Sequence, residues 1–161
     1  MDKQKHLHFD AILPAPFGAL GVQLAGEALA GLTFMPPETA LRPCGSAAIR
    51  KVSHELEAYY ADPGHEWKLT LAPAGSVFRQ HVWQILMTIP AGETRTYGEV
   101  AALLSSSPRA VGQAVGDNPI PIVIPCHRVL AAHGLGGFMH GREGFPIKVK
   151  TWLLRHEGYD V

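Results

Sequence analysis

Over the first third of the chain apolar residues alternate with small or polar ones: Phe9, Ala11 and Leu13, then Leu20, Val22 and Leu24, then Leu29 to Phe34. A period of two belongs to strands, whose successive side chains point to opposite faces. Gly18, Gly21, Gly26 and Gly31 punctuate the pattern, so a small antiparallel sheet is predicted. From Ser46 the period lengthens, with Ile49, Val52, Leu56 and Tyr59 at helical spacing and Asp62-Pro63-Gly64 as the stop. That predicts an amphipathic helix covering one sheet face. The apolar stretch Trp67 to Leu71 leads to Pro73-Ala74-Gly75, read as a linker between a module of residues 1–75 and one of residues 76–161.

The second half reads as mostly helical. Ser76 stands where an N-cap is needed, before a helix with Phe78, Val82, Ile85 and Leu86 on one face and Pro90-Ala91-Gly92 at its end. Thr96-Tyr97-Gly98-Glu99 is a capping box, and the helix it opens runs to Leu104. Ser107 and Pro108 open the next, from Arg109 to about Gly116. Two short helices around a tight turn predict a helix-turn-helix. A final helix carries Val149, Trp152, Leu153 and Leu154, with Gly158 placed to terminate it. The expected class is α+β, a sheet-plus-helix module followed by a mostly helical one.

Length and composition narrow the partners. The 161 residues suffice for one domain or two small modules, and 47% apolar against 17% charged residues excludes a disordered polyampholyte. Fourteen Lys and Arg balance fourteen Asp and Glu, so any nucleic-acid partner must be met by a local patch. The half after residue 75 is the mildly basic one. Cys44 and Cys126, far apart and without a signal peptide, make no disulfide framework and point to a reducing compartment. The apolar run Ile120 to Ile124 is broken by proline and too short for a bilayer. A soluble, cytoplasmic protein is expected.

The segment from Asn118 to Val129 carries the strongest chemical signal. Three prolines stiffen an apolar run that delivers Cys126 beside His127 and Arg128, cationic neighbours of the kind that lower a thiol pKa. A lone buried cysteine is as often a core residue as a nucleophile. On a strand Cys126 and His127 would point to opposite faces, so they cooperate only if the chain turns at Pro125 or a water bridges them. Two charges oppose the helix dipole, Arg109 in a first turn and Glu157 in a last turn. Each is either a solvated surface charge or functional, Arg109 toward nucleic acid and Glu157 toward a histidine. The helix Arg109-Ala110-Val111-Gly112-Gln113-Ala114-Val115-Gly116 is small-sided, suiting either a groove or tight helix packing, with Arg109 and Gln113 its only long polar side chains. His6-Leu7-His8, His133 and His140 show no metal-ligand spacing, Cys44 reads as a loop thiol, and neither metal nor cofactor is expected.

Pro125-Cys126-His127-Arg128-Val129, Arg109-Ala110-Val111-Gly112 with Asn118-Pro119, Thr94 to Glu99, and Trp152 to Gly158 together resemble the O6-alkylguanine-DNA alkyltransferases, the methylated-DNA-protein-cysteine methyltransferases. The resemblance covers Ser76 to Gly158; the first 75 residues fit only in outline. It implies a ribonuclease H-like N-terminal sheet and a winged helix-turn-helix-like alkyltransferase domain. It also implies irreversible, stoichiometric transfer of an alkyl group from O6-alkylguanine in double-stranded DNA to Cys126, by a monomer without an obligate protein partner or membrane contact. His127 would draw the thiol proton through a water, Glu157 would orient His127, Asn118 would brace the turn, and Tyr97 would donate to the departing base. Arg109, Ala110, Gly112, Gln113 and Arg128 would meet DNA, with Arg109 in the stack vacated by the flipped base. Val129, Phe138, Met139 and His140 would line the substrate pocket beside Cys126 and Tyr97. Tyr97 and Arg109 stand about two residues closer together than in the family pattern. The Gly136 to Pro146 loop, Gly137-Phe138-Met139-His140-Gly141 followed by Arg142 to Pro146, is several residues longer than that pattern; Gly136, Gly137 and Gly144 make it mobile and Met139 is adaptable, which predicts tolerance of larger adducts. The cysteine ligands of the zinc site found in some relatives are absent. Two other readings are a lesion-binding protein of the alkyltransferase-like type, which lacks the cysteine, and a cysteine hydrolase, for which no oxyanion arrangement is evident.

Overall fold

The computed structural model describes residues 8–161. His6 and Leu7 lie outside the described residues. Strands β1 (Ala11–Ala15), β2 (Gly18–Ala25) and β3 (Ala28–Met35) form an antiparallel meander joined by two-residue turns. Alternation sorts their side chains: Leu20, Val22, Leu32 and Phe34 face the main core, while Phe9, Ala19 and Met35 close the other face. Gly21 is required there, because the Phe9 ring lies where a Cβ would approach within 2.6 Å. Helix α1 (Ala47–Ala61), capped by Ser46 Oγ accepting from the Ile49 amide, buries Ile49, Val52, Leu56 and Tyr59. These are the four positions its spacing predicts.

The predicted helices of the second half are formed: α2 (Val77–Leu86), α3 (Tyr97–Leu103), α4 (Pro108–Gly116) and α5 (Phe145–His156). Ser76, Thr96 and Ser107 each accept a hydrogen bond from the amide three residues on, as N-cap side chains do. The buried face of α2 departs from expectation. It is built on Val82, Trp83 and Leu86, with Phe78 and Ile85 only partly covered. Trp83 turns inward because its indole Nε1 donates to the Ala114 carbonyl at 2.8 Å, tying α2 to α4. A two-residue parallel pair, β4 (Arg95–Thr96) with β5 (Val129–Leu130), was not foreseen; it anchors the chain after Cys126 beside the start of α3.

The apolar core crosses residue 75 without a break, from Ala11 on β1 to Leu153 on α5. A backbone joint crosses it as well: the Leu32 amide donates to the Pro119 carbonyl at 2.9 Å, while Leu29 pairs with residues 70–72 within the first half. The first-half sheet therefore supports the segment that carries Cys126.

Candidate active site

Residues 119–125 fold into turns rather than a strand. Asn118 organises them: its Nδ2 donates to the Ile124 carbonyl at 2.8 Å and its Oδ1 accepts from the Ile120 amide at 3.0 Å. Ile122 is held at φ 75°, an outlier for a β-branched residue that costs about 1–3 kcal/mol. The chain turns at Pro125 and enters a 3-10 turn of Cys126, His127 and Arg128, all buried. Cys126 and His127 accordingly escape the opposed faces of a strand, although no hydrogen bond joins Sγ to the imidazole among the described residues.

Glu157, the C-cap of α5, is the hub beneath this turn. Its Oε2 accepts from His127 Nε2 at 2.9 Å, Arg128 Nη2 at 2.8 Å and the Tyr59 hydroxyl at 2.7 Å, and its Oε1 from Arg128 Nε at 2.9 Å. Burial alone would raise its pKa, yet the hydrogen bonds from Arg128 and His127 hold it well below the usual carboxylate range. An ionised carboxylate only accepts, so His127 carries its proton on Nε2 and leaves Nδ1 as the basic nitrogen. Nδ1 is buried and meets no partner among the described residues. Burial pushes the pKa of His127 down, against the pull of Glu157, so the resting ring is neutral.

Two expectations change here. Arg128, placed at the DNA by the resemblance, is turned inward, its guanidinium spent on Glu157 and the Ile89 carbonyl. Nor do His127 and Arg128 acidify the thiol. Burial raises the Cys126 pKa to about 11, while the Asn118 amide and the Lys150 ammonium oppose the rise only in part. A desolvated site disfavours the charged form, His127 is neutral, and the Arg128 guanidinium is already engaged with a carboxylate.

A cleft of about 890 Å³ opens above the turn, lined by Tyr97, Arg109, Gly112, Gln113, Met139 and His140 among others. Arg109 and Gln113 are exposed and Ala110 and Gly112 half-buried, so the small residues of α4 leave the cleft open beside Tyr97. Residues 138–141 close a tight turn through two backbone hydrogen bonds of 2.8 Å between Phe138 and Gly141. Its central residues, Met139 and His140, both have positive φ, 50° and 63°. Phe138 anchors the turn in the core, its ring centroid 5.5 Å from that of Phe34. Met139 Sδ lies 3.8 Å from Cys126 Sγ, and the thiol-bearing residue is 1% exposed behind it. His140 lies over Gly116, where a Cβ would strike the ring, and its Nε2 meets Asp117 Oδ1 at 2.7 Å. Arg79 holds the other oxygen of Asp117 at 2.5 Å.

Lys150 has no counterpart in the sequence reading. It is fully buried, and its Nζ donates to the carbonyls of Val129, Leu135 and Gly137 at 2.8, 2.7 and 2.8 Å. Burial lowers its pKa to about 8. The carbonyl of Val129, a residue the resemblance would place in the substrate pocket, is already taken by this lysine. Tyr97 reaches the same strip, its hydroxyl donating to the Gly137 carbonyl at 3.5 Å. Lys150 stands between Val149 and Leu153 on the apolar face of α5, and a charge there was the available signal.

Residues 77–159 match the family model described as 6-O-methylguanine DNA methyltransferase, DNA binding domain. The chain belongs to this methyltransferase family. A methylated-DNA–protein-cysteine methyltransferase of Methanosarcina acetivorans is 38% identical over 156 residues, 92% of this chain and 97% of its own. One from Mycobacterium leprae is 40% identical over 157 residues, 92% of each chain. Among solved structures, Mycobacterium tuberculosis OGT in complex with DNA superposes with a TM-score of 0.77 at 36% identity, covering 91% of this chain and 90% of that one. An O6-methylguanine DNA methyltransferase from Methanococcus jannaschii gives 0.64 at 26% identity, over 93% and 94%. As a member of the methyltransferase family, the chain has the mixed α and β architecture of these structures.

Proposed function

We propose that this protein repairs DNA by direct reversal, moving the alkyl group of O6-alkylguanine onto Cys126 and being consumed in the process. The observation that carries this is a buried cysteine next to a histidine–carboxylate pair, beneath a cleft whose rim is the second helix of a helix-turn-helix. Membership of the methyltransferase family supplies the substrate class, and the neighbours' names supply DNA as the partner.

A water between Sγ and Nδ1 passes the thiol proton to His127, and the imidazolium is stabilised by the anionic Glu157. The thiolate attacks the alkyl carbon; the new S–C bond forms as the C–O6 bond breaks, and the electron pair leaves on the guanine. Tyr97 donates a proton to that base and regains one from solvent. The raised thiol pKa fits this order, because charge appears on sulfur only when the relay can take the proton. O6 lies inside the duplex, so the base is flipped into the cleft, with Arg109 reaching into the stack and Ala110, Gly112 and Gln113 against the groove. Phe138 flanks the base, Met139 moves aside to expose Sγ, and an amide of Met139 or His140 meets O6. Asn118 maintains the turn.

Residues 76–161 form the DNA-binding and alkyl-transfer unit in this reading, and the protein acts as a monomer in the cytoplasm. The last point is supported by two free thiols and by no helix among the described residues being long and apolar enough to cross a membrane. The test is an intact-mass spectrum after incubation with an excess of O6-methylguanine duplex. One methyl mass per chain, on the peptide containing Cys126, is expected; repeated turnover, or unchanged transfer by Cys126→Ala, overturns it.

A further inference from the structure

The relay has a third donor outside the motifs that carry the resemblance, and it comes from the other half of the chain. Tyr59, in the last turn of α1, is fully buried and donates its hydroxyl to Glu157 Oε2 at 2.7 Å, the oxygen that also receives His127 Nε2. Its ring is fixed on two sides, stacked on Trp67 with centroids 5.3 Å apart and edge-on to His156 at 5.1 Å. Its backbone carbonyl accepts from His156 Nε2 at 2.8 Å, docking the ends of α1 and α5 together. Neighbouring Tyr60 is half-buried, and its covered hydroxyl meets no partner among the described residues. Tyr59 is thus singled out by the partner of its hydroxyl.

We infer that Tyr59 is a positioning residue for alkyl transfer, through which the N-terminal half sets the proton affinity of His127 by way of Glu157. This rests on the relay reading of the proposed function. The groups facing His127 are Glu157 and Lys150 from α5, Arg128 and Cys126 from its own turn, and through Glu157 the Tyr59 hydroxyl from α1. Each donor on Oε2 takes electron density that would otherwise bind the Nε2 proton. Removing the Tyr59 donor leaves the carboxylate a stronger acceptor toward His127, which then holds a proton at higher pH. The ring is a base only when deprotonated, so the acid side of the rate profile moves upward. The carboxylate also loses one of the bonds that fix its orientation.

The experiment is single-turnover methyl transfer from O6-methylguanine duplex between pH 5.5 and 9, with the full chain, Tyr59→Phe and Tyr60→Phe. Tyr59→Phe keeps the ring and its stacking. It should slow transfer by about 3–10-fold on the acid side and converge with the parent at high pH, a fraction of the 10²–10⁴ that a positioned base contributes. Tyr60→Phe should superimpose on the parent. A Tyr59→Phe loss equal at every pH, or no loss, overturns the inference. Glu157→Gln separates the two readings: if it transfers normally the relay reading itself fails, whereas slow transfer by Glu157→Gln with an unshifted Tyr59→Phe removes Tyr59 alone. In the parent protein, independently of any variant, a slowly exchanging Tyr59 hydroxyl proton and an Nε2-protonated His127 are expected in the side-chain NMR spectrum. A rapidly exchanging hydroxyl overturns the assignment.

Discussion

The relay around Glu157 and the turn carrying Met139 approach the same sulfur from opposite sides, and they are held by different physics. Beneath Cys126, four hydrogen bonds converge on a carboxylate with no side-chain exposure. Above it, the tip of the turn rests on one sulfur–sulfur contact, two residues at positive φ and a half-exposed His140–Asp117 pair. Charges buried in a low dielectric are costly to rearrange, whereas exposed pairs contribute about 0–1 kcal/mol. The chemistry is thereby built into the packing, and access to it is left adjustable.

The largest effect should come from breaking the lower side. Glu157→Ala leaves the Arg128 guanidinium buried without its carboxylate, and truncating one partner of such a pair costs about 3–5 kcal/mol. Urea unfolding should show that loss, together with the disappearance of methyl transfer at temperatures where the variant is folded. A loss under 1 kcal/mol would mean that the pair is solvated in solution.

The next prediction concerns pH. Burial depresses the His127 pKa below its ordinary 6.5, so the folded ring binds a proton less readily than the unfolded one. Unfolded chains therefore hold more protons in acid. The stabilisation is complete above about pH 6.5 and is lost as pH falls toward the folded value, at up to about 1.4 kcal/mol per unit. Glu157, also depressed, extends the loss below its ordinary 4.5. The urea midpoint should fall between pH 7 and 5.5, and His127→Gln should flatten that step; an unchanged step would assign it to another group.

These two regions were also unequally legible in the sequence. The caps at Ser76, Thr96 and Ser107 act within one turn of chain, so local spacing suffices to find them. Tyr59 was legible as a core residue of α1, but its hydroxyl's partner lies 98 positions away and has no local signature. Arg128 was misplaced for the same reason: a basic residue beside a DNA-binding motif reads as a phosphate contact until Glu157 is seen to fold beneath it. Trp83 was passed over because an apolar helix offers several faces, and only the Ala114 carbonyl decides between them. The glycines of the 136–146 loop suggested mobility, while Lys150 of α5 and Phe34 of β3, which tie it down through Gly137 and Phe138, act from other elements.

On the upper side, Met139→Ala should expose the thiol at small thermodynamic cost, about 1–2 kcal/mol for a partly buried methionine. Labelling of Cys126 by a small thiol reagent should accelerate more than about tenfold, since the covering sulfur is gone while the buried relay is untouched; tenfold corresponds to about 1.4 kcal/mol. The exposed Cys44, which reacts in both proteins, serves as the internal reference. Equal labelling ratios would show that something other than Met139 covers the sulfur.

The smallest effect on stability, and the sharpest separation of the two regions, is expected from His140→Gly. A non-glycine residue in the left-handed region costs about 1–2 kcal/mol, which glycine relieves. The pair with Asp117 is half exposed and returns about 0–1 kcal/mol when lost. Glycine also gains backbone entropy in the unfolded chain, by roughly 0.5–1 kcal/mol. The terms nearly cancel, so the urea midpoint should stay within experimental scatter. What should move is discrimination among adducts, because the turn is no longer fastened to the end of α4 and Met139 can retreat further from Sγ. Parent protein should react with O6-ethylguanine within about tenfold of O6-methylguanine, or about 1.4 kcal/mol in barrier. In His140→Gly that ratio should narrow by about threefold, with the methyl rate itself unchanged because the relay below is intact. If both adducts slow together, the turn positions the base and does not gate its alkyl group; if the ratio holds while the methyl rate is unchanged, the His140–Asp117 pair has no part in substrate range.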